Sequence, residues 1–87
     1  MKVQLLVSDA CDPCDQAEKV WRSVVAEREL DFSVVSLDQP EGRRLADRLQ
    51  LNTIPAVIVD GMLVAIGVQN ADEARALVSQ APPRRRS

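Results

Sequence analysis

The 87-residue chain has no histidine and no tyrosine, and Trp21 and Phe32 are its only aromatic residues. Without imidazole there is no histidine to activate a nucleophile, ligate a metal or shuttle a proton. Two aromatics also make a poor stacking platform for bases. Positive charge is not in excess: 11 Lys and Arg stand against 13 Asp and Glu, a net charge of −2. Arg84, Arg85 and Arg86 account for three of the basic residues, which leaves 8 against 13 in residues 1–81. Such an acidic body repels phosphates, so nucleic acid is not expected as a partner. No apolar run approaches the roughly 18 residues of a membrane span, so no membrane is expected either. The opening Met1-Lys2-Val3-Gln4-Leu5 lacks the long apolar region and small-residue cleavage site of a secretory leader. A cytoplasmic location is expected from this.

What is present is a short alternation of element patterns, of a length suited to one domain. Val3-Gln-Leu-Leu-Val7 is an apolar run stopped by Ser8-Asp9, which predicts a buried strand over 2–7. Ala17, Val20, Trp21, Val24 and Val25 recur at helical spacing, and Pro13 falls in a first turn, where a missing N–H is tolerated. A helix over about 12–28 is expected. Phe32–Leu37 is rich in β-branched and apolar residues and predicts a second strand. Leu45, Ala46 and Leu49 mark a short helix over 41–50. Ala56–Val59 and Met62–Ile66 are apolar runs separated by Asp60-Gly61, a strong hairpin signal. Ala71, Ala74, Leu77 and Val78 form a last amphipathic helix, with Asn70 or Asp72 placed to cap it. The order βαβαββα, with right-handed crossover, predicts a three-layer α/β fold around a four-stranded mixed sheet. The domain is expected over 1–80. Residues 81–87 offer little to bury and read as a disordered basic tail.

Cys11-Asp12-Pro13-Cys14 lies between the first strand and the first helix. A thiol at a helix N-terminus meets unsatisfied N–H groups that favour thiolate, and a second thiol three residues on lies within one turn. This makes Cys11 the candidate nucleophile and Cys14 the candidate resolving thiol. Other readings exist: small buried hydrophobes, half of a metal shell completed from elsewhere, or a static disulfide, which would close too short a loop to stabilise much. Asp9, Asp12, Asp15 and Glu18 surround the pair with no base among them. Acids in a first turn stabilise the helix dipole; the same charges oppose ionisation of Cys11 and attract a basic partner. Asp9, Asp12 and Pro13 are therefore candidate modulators of the thiols.

Strand, CxxC at a helix head, β-α unit, Thr53-Ile54-Pro55 and the Asp60-Gly61 hairpin together resemble the thioredoxin-like superfamily over about residues 2–80. The compactness is similar to that of its glutaredoxin-sized members. The resemblance implies that Cys11 and Cys14 exchange with disulfides and that Ile54-Pro55 is a cis bond beside them. It also implies that the backbone of Thr53, Ile54 and Pro55 binds an extended substrate segment as an added strand. The expected function is a small thiol–disulfide oxidoreductase acting on a disulfide-bearing protein, with an external reductant, no bound cofactor, no metal and a single chain as the unit. The alternative is a redox-inert or metal-handling binding module that uses the CxxC as a ligand pair; the small metallochaperones, another CxxC class, follow a different order, β-α-β-β-α-β. Several positions depart from the wider family. Ala10 replaces the usual tryptophan, Asp12-Pro13 the usual Gly-Pro, and Leu5 the buried carboxylate, so the proton of Cys14 is left to water or Asp9. Val68 stands where glutaredoxins have the second glycine of their glutathione-binding pair, and glutathione is not carried over as a ligand.

Overall fold

The structure, a computed structural model, describes residues 1–83. Its elements are β1 (Lys2–Val7), α1 (Asp12–Val25), β2 (Asp31–Ser36), α2 (Pro40–Leu49), β3 (Ala56–Val59), β4 (Met62–Ile66) and α3 (Ala71–Leu77). The strands form one mixed sheet in the order β2-β1-β3-β4, with β1 parallel to β2 and antiparallel to β3. The expected three-layer architecture is the one found.

Alternation along the strands divides the core in two. Val3, Leu5 and Val57 point to one face, where Ala17, Trp21 and Val24 of α1 meet Ala74 of α3 and Val78. Leu6, Ala56, Ile58 and Val35 point to the other, against Leu45 and Ala46 of α2. A central strand covered on both faces has no solvent side to keep polar, which is why β1 and β3 read as nearly unbroken apolar runs. β4, at the sheet edge, is different: Met62 is 68% exposed and Ile66 48%.

The turns carry out what their residues allow. Asp60 and Gly61 both have positive φ, 51° and 83°, as a two-residue hairpin loop requires. The Asp60 carboxylate also accepts the N–H of Lys2 at 2.8 Å, tying the hairpin to the start of β1. Asn70 caps α3 through a reciprocal pair with Glu73: the Glu73 N–H donates to Asn70 Oδ1 at 2.8 Å, and the Asn70 N–H to Glu73 Oε1 at 3.0 Å. Gly42 lets α2 lie against the end of β2, since a Cβ there would overlap the carbonyl of Ser36.

β2 and α2 each begin and end one residue earlier than expected, and the larger differences, at the end of α1 and after α3, share one reason. α1 ends at Val25 rather than near residue 28, because Arg28 turns away to donate to the carbonyls of Ser79 and Ala81 at 3.4 and 3.0 Å. The chain after α3 is correspondingly held: Ala81 is buried, and the Glu29 N–H donates to the carbonyl of Pro82 at 2.7 Å. Pro83 pairs with Arg28 as well, so residues 81–83, the first three of the expected tail, all contact the body. Residues 84–87 of that tail lie outside the described residues. Arg75 ties α3 to the same region through Glu27 at 3.0 Å. Its hydrogen bond holds the Glu27 carboxyl below its ordinary value, so this tie stabilises above the ordinary carboxyl range and is lost as acid titrates Glu27. Both partners are exposed, which keeps the contribution small.

Candidate active site

The end of β1 delivers the chain through residues 8–10 to Cys11, which is the N-cap of α1 in an extended conformation (φ −140°, ψ 99°). Pro13 lies within the first turn and Asp12 and Asp15 carry its acidic charge, as the helix start favours. The Cys14 N–H donates to Cys11 Sγ at 3.2 Å, so the sulfur occupies the place a capping oxygen normally takes. Cys11 and Cys14 are joined as a disulfide, with their Cα atoms 5.2 Å apart. Their exposure differs. Cys14 is 2% exposed and packs inward, whereas Cys11 is only half-buried, and Asp12 and Pro13 between them are exposed. An incoming group thus meets Cys11 first.

Asp38, two residues after β2, carries no sequence signal that marks it for the site. Its carboxylate accepts the Asp9 N–H at 3.0 Å and lies 3.4 Å from the Ser36 hydroxyl, pinning the loop that leads into Cys11. Asp9 itself is exposed, and its hydrogen bond to Asp38 is made by the backbone N–H.

Sheet register places the second predicted element at the same end of the molecule. Leu6, near the end of β1, pairs with Ala56, the first residue of β3, and the chain enters β3 through Thr53, Ile54 and Pro55. The Ile54–Pro55 peptide bond is cis. Pro55 is fully buried, Ile54 half-buried against the α2-side core, and Thr53 exposed. The Pro55 carbonyl accepts the N–H of Gly67 at 2.8 Å, which links this loop to the segment after β4. That segment is anchored by a contact that sequence reasoning missed: the Trp21 indole donates to Gln69 Oε1 at 3.2 Å, and both side chains are buried. Among the described residues no group of three or more Cys, Asp or Glu side chains gathers to hold a metal ion.

A thioredoxin-domain family model matches residues 1–79. The chain belongs to the thioredoxin-domain family. Compared by sequence with curated proteins, it finds no match. Among solved structures it is similar to a thioredoxin of Plasmodium falciparum at a TM-score of 0.72 and 13% identity, covering 95% of this chain and 73% of that one. Chlamydomonas reinhardtii thioredoxin f2 is similar at 0.67 and 23%, with 91% and 76% covered. The glutaredoxin-like NrdH-redoxin of Escherichia coli is similar at 0.62 and 20%, with 88% and 95% covered. At these identities the likeness is one of fold. This thioredoxin-domain chain spans nearly the whole of the small redoxin but about three quarters of the two thioredoxins, which agrees with its compact plan. A thioredoxin fold with a CxxC pair at disulfide distance supports thiol–disulfide oxidoreductase chemistry in general.

Proposed function

We propose that the chain reduces disulfides on other proteins, with Cys11 as the attacking thiol and Cys14 as the resolving one. The observation that carries this reading is the asymmetry of the pair: a half-exposed sulfur at the helix cap, facing solvent, bonded to a buried one. In the reduced protein the helix N-terminus and the Cys14 N–H stabilise a thiolate on Cys11. That thiolate attacks a substrate disulfide; a Cys11–substrate bond forms, the substrate bond breaks and one substrate thiolate leaves. Cys14 then loses its proton and attacks Cys11 Sγ, releasing the second substrate thiolate and leaving Cys11–Cys14 oxidised. Leu5 sits in the core, so β1 offers no carboxylate for that proton, which passes to water or to Asp9. An external dithiol, of the kind a reducing cytoplasm supplies, restores the pair. One chain carries both thiols, so the cycle runs in a monomer without a bound cofactor.

Thr53, Ile54 and Pro55 supply the docking edge in this reading, with the backbone of Ile54 pairing an extended substrate segment beside the thiols. The test compares a protein disulfide with a small neutral one, hydroxyethyl disulfide, using dithiothreitol as reductant. Wild-type protein accelerates both over a Cys11→Ser/Cys14→Ser control. Thr53 is exposed, so Thr53→Glu leaves the fold intact while placing a carboxylate at the docking edge. It lowers kcat/KM for the protein disulfide about three- to tenfold, on the order of 1 kcal/mol, and leaves the small disulfide unchanged. No acceleration by the wild type over the control sinks the reading.

The acids around the thiols tune this chemistry. Asp12 stands at the first helical position, exposed, between the two cysteines. Asp12→Asn removes a negative charge near Cys11 and so lowers the pKa of its thiol. A more stable thiolate favours the reduced form, and the reduction potential rises. One pKa unit corresponds to roughly 30 mV for a two-electron couple, and an exposed charge delivers less than that. Titration of thiolate absorbance at low and high salt checks both the direction and the screening expected over about 8–10 Å. A raised or unchanged pKa limits Asp12 to its role on the helix dipole.

A further inference from the structure

Most arginines of the described body are occupied. Arg22 bonds Glu18, Arg75 bonds Glu27 and Asp72, Arg28 donates to the carbonyls of Ser79 and Ala81, and Arg43 donates to the carbonyl of Leu37. Arg44 and Arg48 alone have no partner among the described residues. They stand one helical turn apart on α2 and line the same groove, of about 390 Å³, with Lys2, Gln4, Glu41 and Leu45. Lys2 bonds Asp60 through its backbone only, which leaves its ammonium group unpaired as well. Like charges at i and i+4 on a helix repel, and Glu41, the one acid lining the groove, makes no ion pair with either arginine.

The floor of the groove gives a second and independent observation. Gln4 is the one polar residue inside β1, 8% exposed between neighbours that are fully buried. Its side-chain amide makes no hydrogen bond with any described residue, yet no enclosed side-chain nitrogen or oxygen among those residues lacks a partner. The amide is therefore reached from the groove. An amide reached from a cationic groove pairs with water or with what enters the groove.

We infer that this groove binds a phosphorylated small molecule. Guanidinium forks match the oxygens of a tetrahedral anion, and Lys2 adds a third cation across from them. The volume is of the size that holds a small ligand and exceeds what a bare phosphate fills. Glu41, on the same wall, repels a second anionic group and accepts from hydroxyls, so the ligand carries its charge at one end and a hydroxylated body at the other. The site is separate from the thiols: Lys2 opens β1, whereas Cys11 follows its far end.

The test is an amide-resolved NMR titration of the full chain with ribose 5-phosphate, inorganic phosphate, ribose, a glutamate-rich peptide, and sodium chloride at matched ionic strength. Ribose 5-phosphate and phosphate are expected to shift the amides of Lys2, Gln4, Arg44 and Arg48, the sugar phosphate at lower concentration, while ribose and chloride leave them in place. Arg44→Gln/Arg48→Gln weakens both by about tenfold or more, with disulfide reduction unchanged. Gln4→Leu abolishes the advantage of the sugar phosphate over phosphate. Shifts no larger than those with chloride, or wild-type affinity in the double variant, overturn the proposal. Tighter binding of the acidic peptide than of ribose 5-phosphate also overturns it and makes the groove a protein-docking site.

Discussion

Cys14→Ser accumulates a stable mixed disulfide between Cys11 and a protein substrate, whereas Cys11→Ser falls to the uncatalysed background. The first variant keeps the half-exposed thiol at the head of α1 and loses only the buried one. Its attack on a substrate disulfide goes to completion, but no neighbouring thiol displaces the product, so the intermediate persists until an outside thiol arrives. The second variant keeps a sulfur that is 2% exposed and packed inward, which a protein disulfide cannot reach in line. Non-reducing electrophoresis followed by peptide mapping reads both outcomes. Trapping by Cys11→Ser instead would exchange the two roles.

Trp21→Ala costs about 3–5 kcal/mol, the range for emptying a large buried aromatic site. Trp21 is fully buried where α1, α3 and the sheet meet, and its indole is the donor to Gln69, whose own amide continues to the carbonyl of Ile66 at 3.4 Å. Truncation opens a cavity and leaves Gln69 Oε1 without its donor, a penalty of about 1–3 kcal/mol when nothing replaces it. A domain of this size has only about 5–15 kcal/mol in all, so the midpoint of thermal unfolding falls by more than about 10 °C. Trp21→Phe keeps most of the volume and loses the donor, and should fall between the wild type and the alanine variant. A change below about 1 kcal/mol in Trp21→Ala would mean that the α1–α3 layer is held by other contacts.

The parts of the fold that could be read from the sequence are those whose cause is local. Asp60-Gly61 needs only its own two dihedral angles, and the apolar runs of β1 and β3 need only a sheet covered on both sides. Cys11 and Cys14 were legible because three residues of helix bring them together. What escaped depends on partners far along the chain. Asp38 is 29 residues from the backbone it holds, and Gln69 is 48 from Trp21. Ala26, Glu27 and Arg28 suit a helix by themselves, so the sequence pattern extends α1 past Val25, where it ends. Only the chain after α3, more than 50 residues on, takes Arg28 away. Gln4 was similarly hidden within an apolar run, and its meaning emerges only once α2 brings Arg44 and Arg48 over it.

The division of labour between the thiols is tested most directly by alkylating the reduced wild-type protein with limiting iodoacetamide near neutral pH and measuring the label on each cysteine by mass spectrometry. The account predicts that Cys11 is modified at least about tenfold faster than Cys14, since only a thiolate reacts and only Cys11 combines the helix cap with access to solvent. Equal rates, or faster labelling of Cys14, would contradict it.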